Sequence, residues 1–304
     1  MHLTNKSCFF FLLLISLTLD LGFSFHLSDV QIKLIKVVDG VYMLRGEGGN
    51  IGLFIGDDST FIIDDQFAPL NDQIKKIIRT VTSQPVKFVV NTHWHGDHTG
   101  GNEKFGMAGA LILAHENVRK RMSVEQFVDT PPFNQLFPAS SKAALPIVTF
   151  TKSLTFHLNG EQIRVYHVDR AHTDGDSIIQ FQNANVFHMG DLFFNGSYPF
   201  IDISTGGSLT GMIEAVEGVL VLLNEDSKII PGHGNLAQKS HLKIYLNVLR
   251  TAQKRVTMLI SQGKSLEQIQ ANRPMKEYDA SWGSGFINPL TFLSIVYSSL
   301  QTEK

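Results

Sequence analysis

Short runs of β-branched and aromatic residues, at 41–44, 52–55 and 61–64, mark the first patterned stretch of the chain. Glycines and a pair of aspartates separate these runs, and that spacing predicts a β-meander from about 35 to 65. Isoleucines then recur at helical spacing from 71 to 80, and the apolar run 86–90 predicts a buried strand. The first half of the chain therefore predicts strands, a helix and a strand.

The second half repeats this order of elements. Residues 147–189 are rich in β-formers, an amphipathic helix is predicted around 212–223, and a short strand is predicted over 228–230. Two more helices are predicted, one over 242–262 that ends at Gly263 and one over 289–300. The halves are similar in pattern only, and they predict an α/β fold in which two sheets face each other with helices outside.

One stretch, between Met122 and Pro146, lacks any periodicity and mixes prolines with phenylalanines. Long apolar loops of this kind often cover a binding or catalytic site. The other interpretation is a loop that packs on the core through its aromatic side chains, and the sequence favours neither.

The first 24 residues differ in composition from the rest of the chain. Lys6 is followed by an apolar run from Cys8 to Leu19 and then by small residues, which is the order of a signal peptide. A retained membrane anchor is the alternative, but a run of 12 residues is shorter than the roughly 20 that span a bilayer. We therefore expect a signal peptide over 1–24 and one periplasmic or secreted domain over 25–304, with no stable membrane span.

Composition narrows the classes of partner. The 304 residues are 43% hydrophobic and 18% charged, which is typical of a globular protein. The formal net charge is −2 and no long basic run is present, so a small-molecule substrate is expected and nucleic acid is not. Removal of the signal peptide would remove Cys8, the only cysteine, so a metal site in the mature chain would use nitrogen and oxygen ligands. The oligomeric state stays open.

Four potential metal ligands lie within six positions directly after the strand predicted over 86–90, in the segment HWHGDH. In an extended segment the rings of His93 and His95 point the same way. Asp97 and His98 require a turn, which Gly96 permits. One segment can therefore serve two metal ions.

Three further ligand-type residues, His172, Asp191 and His233, each follow an apolar strand and sit beside or near glycine. Loops at strand ends are where a scaffold presents reactive groups. Imidazole and carboxylate are ligands that zinc accepts, and the combined set is large enough for two ions and a bridging hydroxide.

The segment 93–98 followed by His172, Asp191 and His233 resembles the metal-binding motif of the metallo-β-lactamase superfamily, over nearly all of the mature chain. The resemblance implies a four-layer αββα sandwich with the metal site at one edge. It assigns the ligands as His93, His95 and His172 for one ion, Asp97, His98 and His233 for the other, and Asp191 as the bridge. An aspartate that ends an early strand, here Asp64, typically supports the site in this family.

The residue type at the bridging position, here Asp191, differs between the substrate classes that the resemblance implies. The best-known zinc β-lactamases have a cysteine where this chain has Asp191, whereas an aspartate resembles lactonases and thioesterases of the glyoxalase II type. The secretory signal and compact length are instead similar to secreted β-lactamase relatives. The resemblance thus implies a hydrolase with β-lactams as the leading substrate, lactones or thioesters as the alternative, and an iron-dependent oxidoreductase as a further one. Two Zn²⁺ ions are expected, with iron or manganese as alternatives.

The expected mechanism does not depend on the substrate. Two cations lower the pKa of a bridging water towards neutrality, and the resulting hydroxide attacks an acyl carbon while a metal stabilises the oxyanion. Asp97 is placed to orient the hydroxide and is the predicted catalytic residue. The chain has no Gly-x-Ser-x-Gly elbow, so no serine nucleophile is expected.

Other residues near these motifs are predicted to be structural. His115 is expected at the start of a helix, and residues 173–176 are expected to form a turn that positions His172. Trp282 and Phe286 flank a glycine-rich segment and are expected to pack the last helix rather than to line the substrate cleft.

Overall fold

The computed structural model describes residues 30–302. The predicted signal peptide, residues 1–24, lies outside this range. Within 30–302, no helix combines the length and apolar character needed to cross a membrane.

The strands and helices follow one another closely along the described chain. The strands are β1 (Lys33–Val38), β2 (Val41–Arg45), β3 (Ile51–Ile55), β4 (Thr60–Ile63), β5 (Val86–Val90), β6 (Leu111–His115), β7 (Gln126–Val128), β8 (Gln135–Phe137), β9 (Val148–Phe150), β10 (Ser153–Leu158), β11 (Glu161–His167), β12 (Ser177–Phe181), β13 (Val186–His188), β14 (Phe194–Asn195), β15 (Lys228–Ile230) and β16 (His233–Gly234). The helices are α1 (Asn71–Ile78), α2 (Gly96–Thr99), α3 (Asn102–Met107), α4 (Glu116–Met122), α5 (Leu209–Leu222), α6 (Lys239–Ser261), α7 (Leu266–Asn272), α8 (Lys276–Trp282) and α9 (Pro289–Thr302).

The first sheet has the strand order β1-β2-β3-β4-β5-β6-β9. Its first four strands pair antiparallel, which confirms the predicted meander. β4, β5, β6 and β9 pair parallel, and α1 makes the crossover that two parallel neighbours require. Because Ile63 of β4 lies beside Val90 of β5, the residues that follow these two strands emerge at the same edge of the sheet.

The second sheet has the order β10-β11-β12-β13-β15. Its first four strands are antiparallel, and α5 connects β13 to its parallel neighbour β15. His188 of β13 lies beside Ile230 of β15, so the chain again leaves two neighbouring strands at one edge. Asp191 follows the first of these strands and His233 follows the second.

Three hydrophobic clusters explain how the layers pack. The central cluster joins the facing surfaces of the two sheets, with Phe61 and Ile63 from the first and Ile179 and Phe181 from the second. Aromatic rings add edge-to-face contacts across this interface, such as Phe54 on Phe181 at 5.2 Å between ring centroids. Side chains alternate across a strand, so the opposite faces of both sheets remain to be covered.

Helices cover both outer faces. Ile74 of α1 and Phe105 of α3 pack with Ile62 on the outside of the first sheet. Helices α5, α6 and α9 pack on the outside of the second sheet, where Met212 and Leu249 lie in one cluster with core residues of β12 and β13. The order of layers is helix, sheet, sheet, helix, which confirms the α/β fold and the αββα sandwich expected from the sequence.

The stretch between Met122 and Pro146 contains a small hairpin that the sequence did not predict. Strands β7 and β8 pair antiparallel and form a separate two-stranded sheet, with Phe127 opposite Leu136. Phe137, on β8, contacts Trp94 of the HWHGDH segment at 6.2 Å between ring centroids. The hairpin therefore packs against the HWHGDH segment, and Phe133 and Phe137 also pack on the core, so the contacts agree with both interpretations of this stretch.

Candidate metal centre

The HWHGDH segment changes direction where its ligands need to separate. His95 is extended, with φ −63° and ψ 148°, and α2 begins at the next residue, so Asp97 and His98 lie in its first turn. The predicted turn is present, but it does not depend on glycine, because Gly96 is outside the left-handed region and a Cβ there would meet nothing within 4 Å. The start of a helix, rather than a glycine conformation, turns the chain.

All seven predicted ligands are brought together at the shared edge of the two sheets. Their donor atoms form three overlapping groups, within each of which the atoms lie no more than 4.8 Å apart: His93, His95 and His172; His93, His98 and Asp191; and Asp97, His98 and His233. Their assignment as metal ligands stays a prediction, and its test is a count of bound metal.

The group of His93, His95 and His172, the first ligand group from here on, consists of three imidazoles, and burial favours the neutral form of two of them. His172 Nε2 lies 2.9 Å from His95 Nδ1, and the ring of His93 is 4.6 Å from that of His172. Burial lowers the pKa of His172 to about 4, and burial with the neighbouring histidines holds the pKa of His93 well below its ordinary value. Neutral rings keep a lone pair for a metal, which is the form that metal binding requires.

The group of Asp97, His98 and His233, the second ligand group from here on, combines a carboxylate with two histidines. Asp97 Oδ2 lies 3.5 Å from His98 Nε2 and 3.3 Å from His233 Nε2. Burial opposes the charge on each group, but the charges favour one another: the pKa of Asp97 falls to about 2 and that of His233 rises to about 9. Opposite charges are thus concentrated on this side of the cluster.

Asp191 lies between the two groups and turns one oxygen towards each. Its Oδ1 is 3.1 Å from His98 Nε2 and 3.4 Å from His233 Nε2. Its Oδ2 is 3.5 Å from His172 Nε2 and 3.9 Å from His93 Nε2. Burial works against its ionisation, yet His233, His98 and His172 hold the pKa of Asp191 well below its ordinary value. An anionic oxygen therefore faces each group.

Asp64 orients one of these histidines, as the sequence predicted. It follows β4 with φ +60°, a conformation that is strained for a residue with a side chain and is typical of functional sites. His98 Nδ1–H donates to Asp64 Oδ2 at 2.8 Å, which leaves Nε2 facing the cluster. Thr92 fixes the carboxylate in turn, donating from its backbone N–H and its hydroxyl at 2.7 Å each.

The turn at 173–176 orients His172, also as predicted. Asp176 is buried and accepts hydrogen bonds from the backbone N–H groups of His172 at 2.6 Å and Thr173 at 2.9 Å. The ring is fixed separately, because His172 Nδ1–H donates to the carbonyl oxygen of Phe200 at 2.8 Å. Asp174 points away from the cluster and pairs with Arg121 at 2.8 Å.

Asp202 orients His95, and sequence reasoning missed it. Its Oδ2 accepts from His95 Nε2 at 3.1 Å, while Oδ1 accepts from the hydroxyl of Ser204 at 2.5 Å. Burial opposes its ionisation, but the hydrogen bond from His95 keeps the pKa of Asp202 below its ordinary value. Asp202 follows no strand and belongs to no motif, so only the fold shows that it lies beside the cluster.

Replacing Asp202 tests this orienting role. In Asp202→Asn the side-chain volume is kept but the anionic acceptor for His95 is lost, and we expect metal affinity to fall by about 10 to 100-fold. The measurement is competition for zinc with a chromogenic chelator. Asp279→Asn is the matched control, because Asp279 accepts from Tyr198 at 3.0 Å in a different part of the fold. Equal losses in the two variants would indicate general destabilisation and contradict the assigned role.

Two features of the cluster fit a metal site: a ligand nitrogen without a hydrogen-bond partner, and backbone packed closely against the ligand side chains. His93 Nε2 is buried and has no hydrogen-bond partner among the described residues, which is the state of an atom meant for a metal. A Cβ on Gly49 would lie 2.1 Å from the ring of His98, and a Cβ on Gly232 would lie 2.0 Å from Asp191 Oδ1. Because glycine has no Cβ, the backbone at Gly49 and Gly232 can lie in direct contact with the side chains of His98 and Asp191.

The remaining sequence candidates lie beside the cluster or away from it. His115 caps α4, as predicted, and its ring stacks on His167 at 3.6 Å instead of joining the ligands. Trp282 is buried, in agreement with packing on the last helix, but Phe286 is 67% exposed and contacts Phe133. The expectation that Phe286 packs the last helix is therefore wrong.

Sequence comparisons find relatives with this fold. The profile of the Metallo-beta-lactamase superfamily matches residues 44–233, a range that contains all seven cluster residues. Metallo-beta-lactamase type 2 from Bacteroides fragilis is 23% identical over 227 residues, which are 70% of this chain and 82% of that protein. Alkyl/aryl-sulfatase BDS1 from Saccharomyces cerevisiae is 37% identical over 71 residues, 22% of this chain and 11% of that protein.

Solved structures show the same fold at low identity. A metallo-beta-lactamase from Pontibacter korlensis has a TM-score of 0.61 and 20% identity, and the match covers 72% of this chain and 99% of that one. The sec-alkylsulfatase Pisa1 from Pseudomonas sp. has a TM-score of 0.67 and 16% identity, over 88% of this chain and 50% of that one.

Proposed function

Because the chain belongs to the metallo-beta-lactamase superfamily, whose members are metal-dependent hydrolases, we propose that it hydrolyses an acyl bond with two metal ions held in its His/Asp cluster. One ion lies among His93, His95 and His172 in this proposal, and the other lies among Asp97, His98 and His233. The observation that carries the proposal is the position of Asp191, whose two oxygens face the two groups.

Zinc is the metal we propose. The donors are imidazole nitrogens and carboxylate oxygens, a set that borderline divalent ions accept, and the described residues include no thiolate. When bound, such cations supply a water of lowered pKa and a Lewis acid for an oxyanion. Iron in the purified protein would instead favour redox chemistry, which zinc does not perform.

The cluster's own residues divide the remaining tasks. Asp97 has 24% of its side chain exposed, against 5% for Asp191 and none for Asp64 and Asp202. We therefore assign Asp97 to orient the attacking water, because among these four carboxylates it is the most accessible to solvent. Asp64 and Asp202 hold His98 and His95 in fixed tautomers, so the ligand nitrogens stay aimed at the centre.

A β-lactam ring is the substrate we propose first. The support comes from the relatives that the chain matches over most of their length, namely the enzyme from Bacteroides fragilis at 82% and the Pontibacter korlensis structure at 99%. The signal peptide predicted over residues 1–24 is the basis for proposing a periplasmic or secreted location.

The test is turnover of a chromogenic cephalosporin by the zinc-loaded protein, with and without a chelator. We expect kcat/KM above about 10⁴ M⁻¹s⁻¹ and its loss on chelation, which is the range of ordinary enzymes. A value orders of magnitude lower would overturn the β-lactam assignment, and a lactone and a thioester, tested in parallel, would then show which acyl class is used. Turnover that survives full metal removal would overturn the metal-dependent function itself.

Sulfate ester hydrolysis is the second candidate. The sec-alkylsulfatase match extends over 88% of this chain, compared with 72% for the Pontibacter korlensis enzyme. A secondary alkyl sulfate, assayed by release of inorganic sulfate, separates the two: sulfate release without cephalosporin turnover would favour the second candidate.

A further inference from the structure

Five aromatic side chains form a continuous surface beside the first ligand group, and we call them the aromatic wall: Trp94, Phe133, Phe137, Phe200 and Phe286. Phe200 lies 5.7 Å from the ring of His95 and 5.9 Å from that of His172. Phe133 lies 5.3 Å from Phe200 and 5.7 Å from Phe286, and it contacts Phe137 at 5.8 Å. The wall thus runs without a break from the ligands to the protein surface.

Exposure increases along the wall with distance from the ligands. Phe200 is 5% exposed, Phe133 is partly buried and Phe286 is 67% exposed. Phe200 is therefore already shielded from water, whereas most of the surface of the Phe286 side chain remains in contact with it. Covering the exposed area of such a phenylalanine with an apolar group is favourable, because it removes apolar surface from water.

The outermost ring of the wall is carried by an anchored segment. A Cβ on Gly285 would lie 2.9 Å from Ser197 Cβ, so this backbone passes close to the segment that follows β14. The backbone N–H of Tyr198 donates to the carbonyl oxygen of Trp282 at 2.9 Å, which ties the same two segments together. Phe286 is therefore held near Phe133 by backbone contacts on its N-terminal side.

We propose that the aromatic wall binds an aryl group of the substrate while the scissile bond lies at the metal centre. This inference rests on the proposed hydrolytic function and adds a substrate class to it. Continuity with His95 and His172 points to the substrate as the occupant rather than a second protein. The wall offers ring edges and faces for stacking, which an aryl group uses better than a short alkyl group does.

Phe127 and Leu136, a cross-strand pair on the β7–β8 hairpin, are exposed apolar residues that do not belong to the aromatic wall. Both side chains are 56% exposed, and neither makes a ring contact with the wall in the described structure. They alternate with Val128 and Phe137, which face inward, so they lie on the other face of the hairpin. Phe127 is therefore a matched control for Phe286, with the same side chain, similar exposure and no contact with the wall.

The experiment compares two cephalosporins that share a nucleus and differ in the acyl side chain, one phenylacetyl and one acetyl. We expect the full-length zinc-loaded protein to prefer the phenylacetyl compound in kcat/KM by about tenfold or more, since the ring loses contact with water at the wall. Phe286→Ser should reduce this ratio to about threefold or less, and Phe127→Ser should keep it. A ratio near one, or one unchanged in Phe286→Ser, would overturn the proposal.

A binding measurement separates failure of this inference from failure of the proposed reaction. Phenylacetate and acetate, which share a carboxylate, are titrated into the zinc-loaded protein by calorimetry, so no turnover is needed. Tighter binding of phenylacetate that is lost in Phe286→Ser supports the wall even if no cephalosporin is hydrolysed. Equal affinity for the two acids would contradict the wall, whether or not the protein is a hydrolase.

Discussion

Asp191→Asn is expected to lower kcat/KM by about three orders of magnitude, which corresponds to roughly 4 kcal/mol of transition-state stabilisation. The reason is geometric and electrostatic. Asp191 turns Oδ1 towards His98 and Oδ2 towards His172, and asparagine replaces one of these oxygens with an NH₂ group that has no lone pair for a metal. The side-chain volume is unchanged, so the fold is expected to persist. One ion per chain should be lost together with the activity.

The control for this variant is Asp39→Asn, which removes a carboxylate that is fully solvated and pairs only with Lys36 at 2.6 Å. We expect wild-type activity and metal content from it. Activity within about tenfold of wild type in Asp191→Asn, measured with zinc in excess, would rule out a bridging role. Circular dichroism of both variants checks that the fold is retained.

We expect chelation to lower the unfolding temperature of the zinc-loaded protein by roughly 5 to 10 °C per site lost. A ligand at 100 times its dissociation constant stabilises the folded state by about 2.7 kcal/mol, and each kcal/mol moves the midpoint by roughly 2 to 4 °C in a domain of this size. Buried ligands make the effect specific to the folded chain, because His93, His98 and His172 come together only there.

Thermal melts of the zinc-loaded protein with and without chelator measure this shift. His98→Ala removes a residue that belongs to two of the three ligand groups, so its melt should respond much less to chelator. Identical melts of the wild-type protein in both conditions would show that the folded chain holds no metal and would remove the basis of the proposed mechanism.

The ligands and the sheets were predictable because their signals are local. His93, His95, Asp97 and His98 lie in one short segment, where spacing alone restricts what they do, and the flanking strand is a plain apolar run. His172, Asp191 and His233 each follow a strand, and the parallel pairing of β13 with β15 brings the last two to one edge. The family resemblance then supplied how the ligands divide between two ions.

What the sequence did not predict depends on contacts between distant segments. Asp202 reaches His95 across 107 positions of chain, and no local pattern marks it. The aromatic wall likewise combines Phe200, Phe133 and Phe286 from three separate segments. The turn predicted after His95 is present, but the start of a helix produces it and glycine is not required there.

The metal content of the full-length protein tests the central claim most directly. Purified protein is stripped, dialysed against zinc, freed of excess metal and analysed by mass spectrometry for metal ions per chain. Two zinc ions per chain are predicted. One lies among His93, His95 and His172, the other lies among Asp97, His98 and His233, and Asp191 lies between them. One ion would contradict the dinuclear centre, and none would contradict the metal centre altogether.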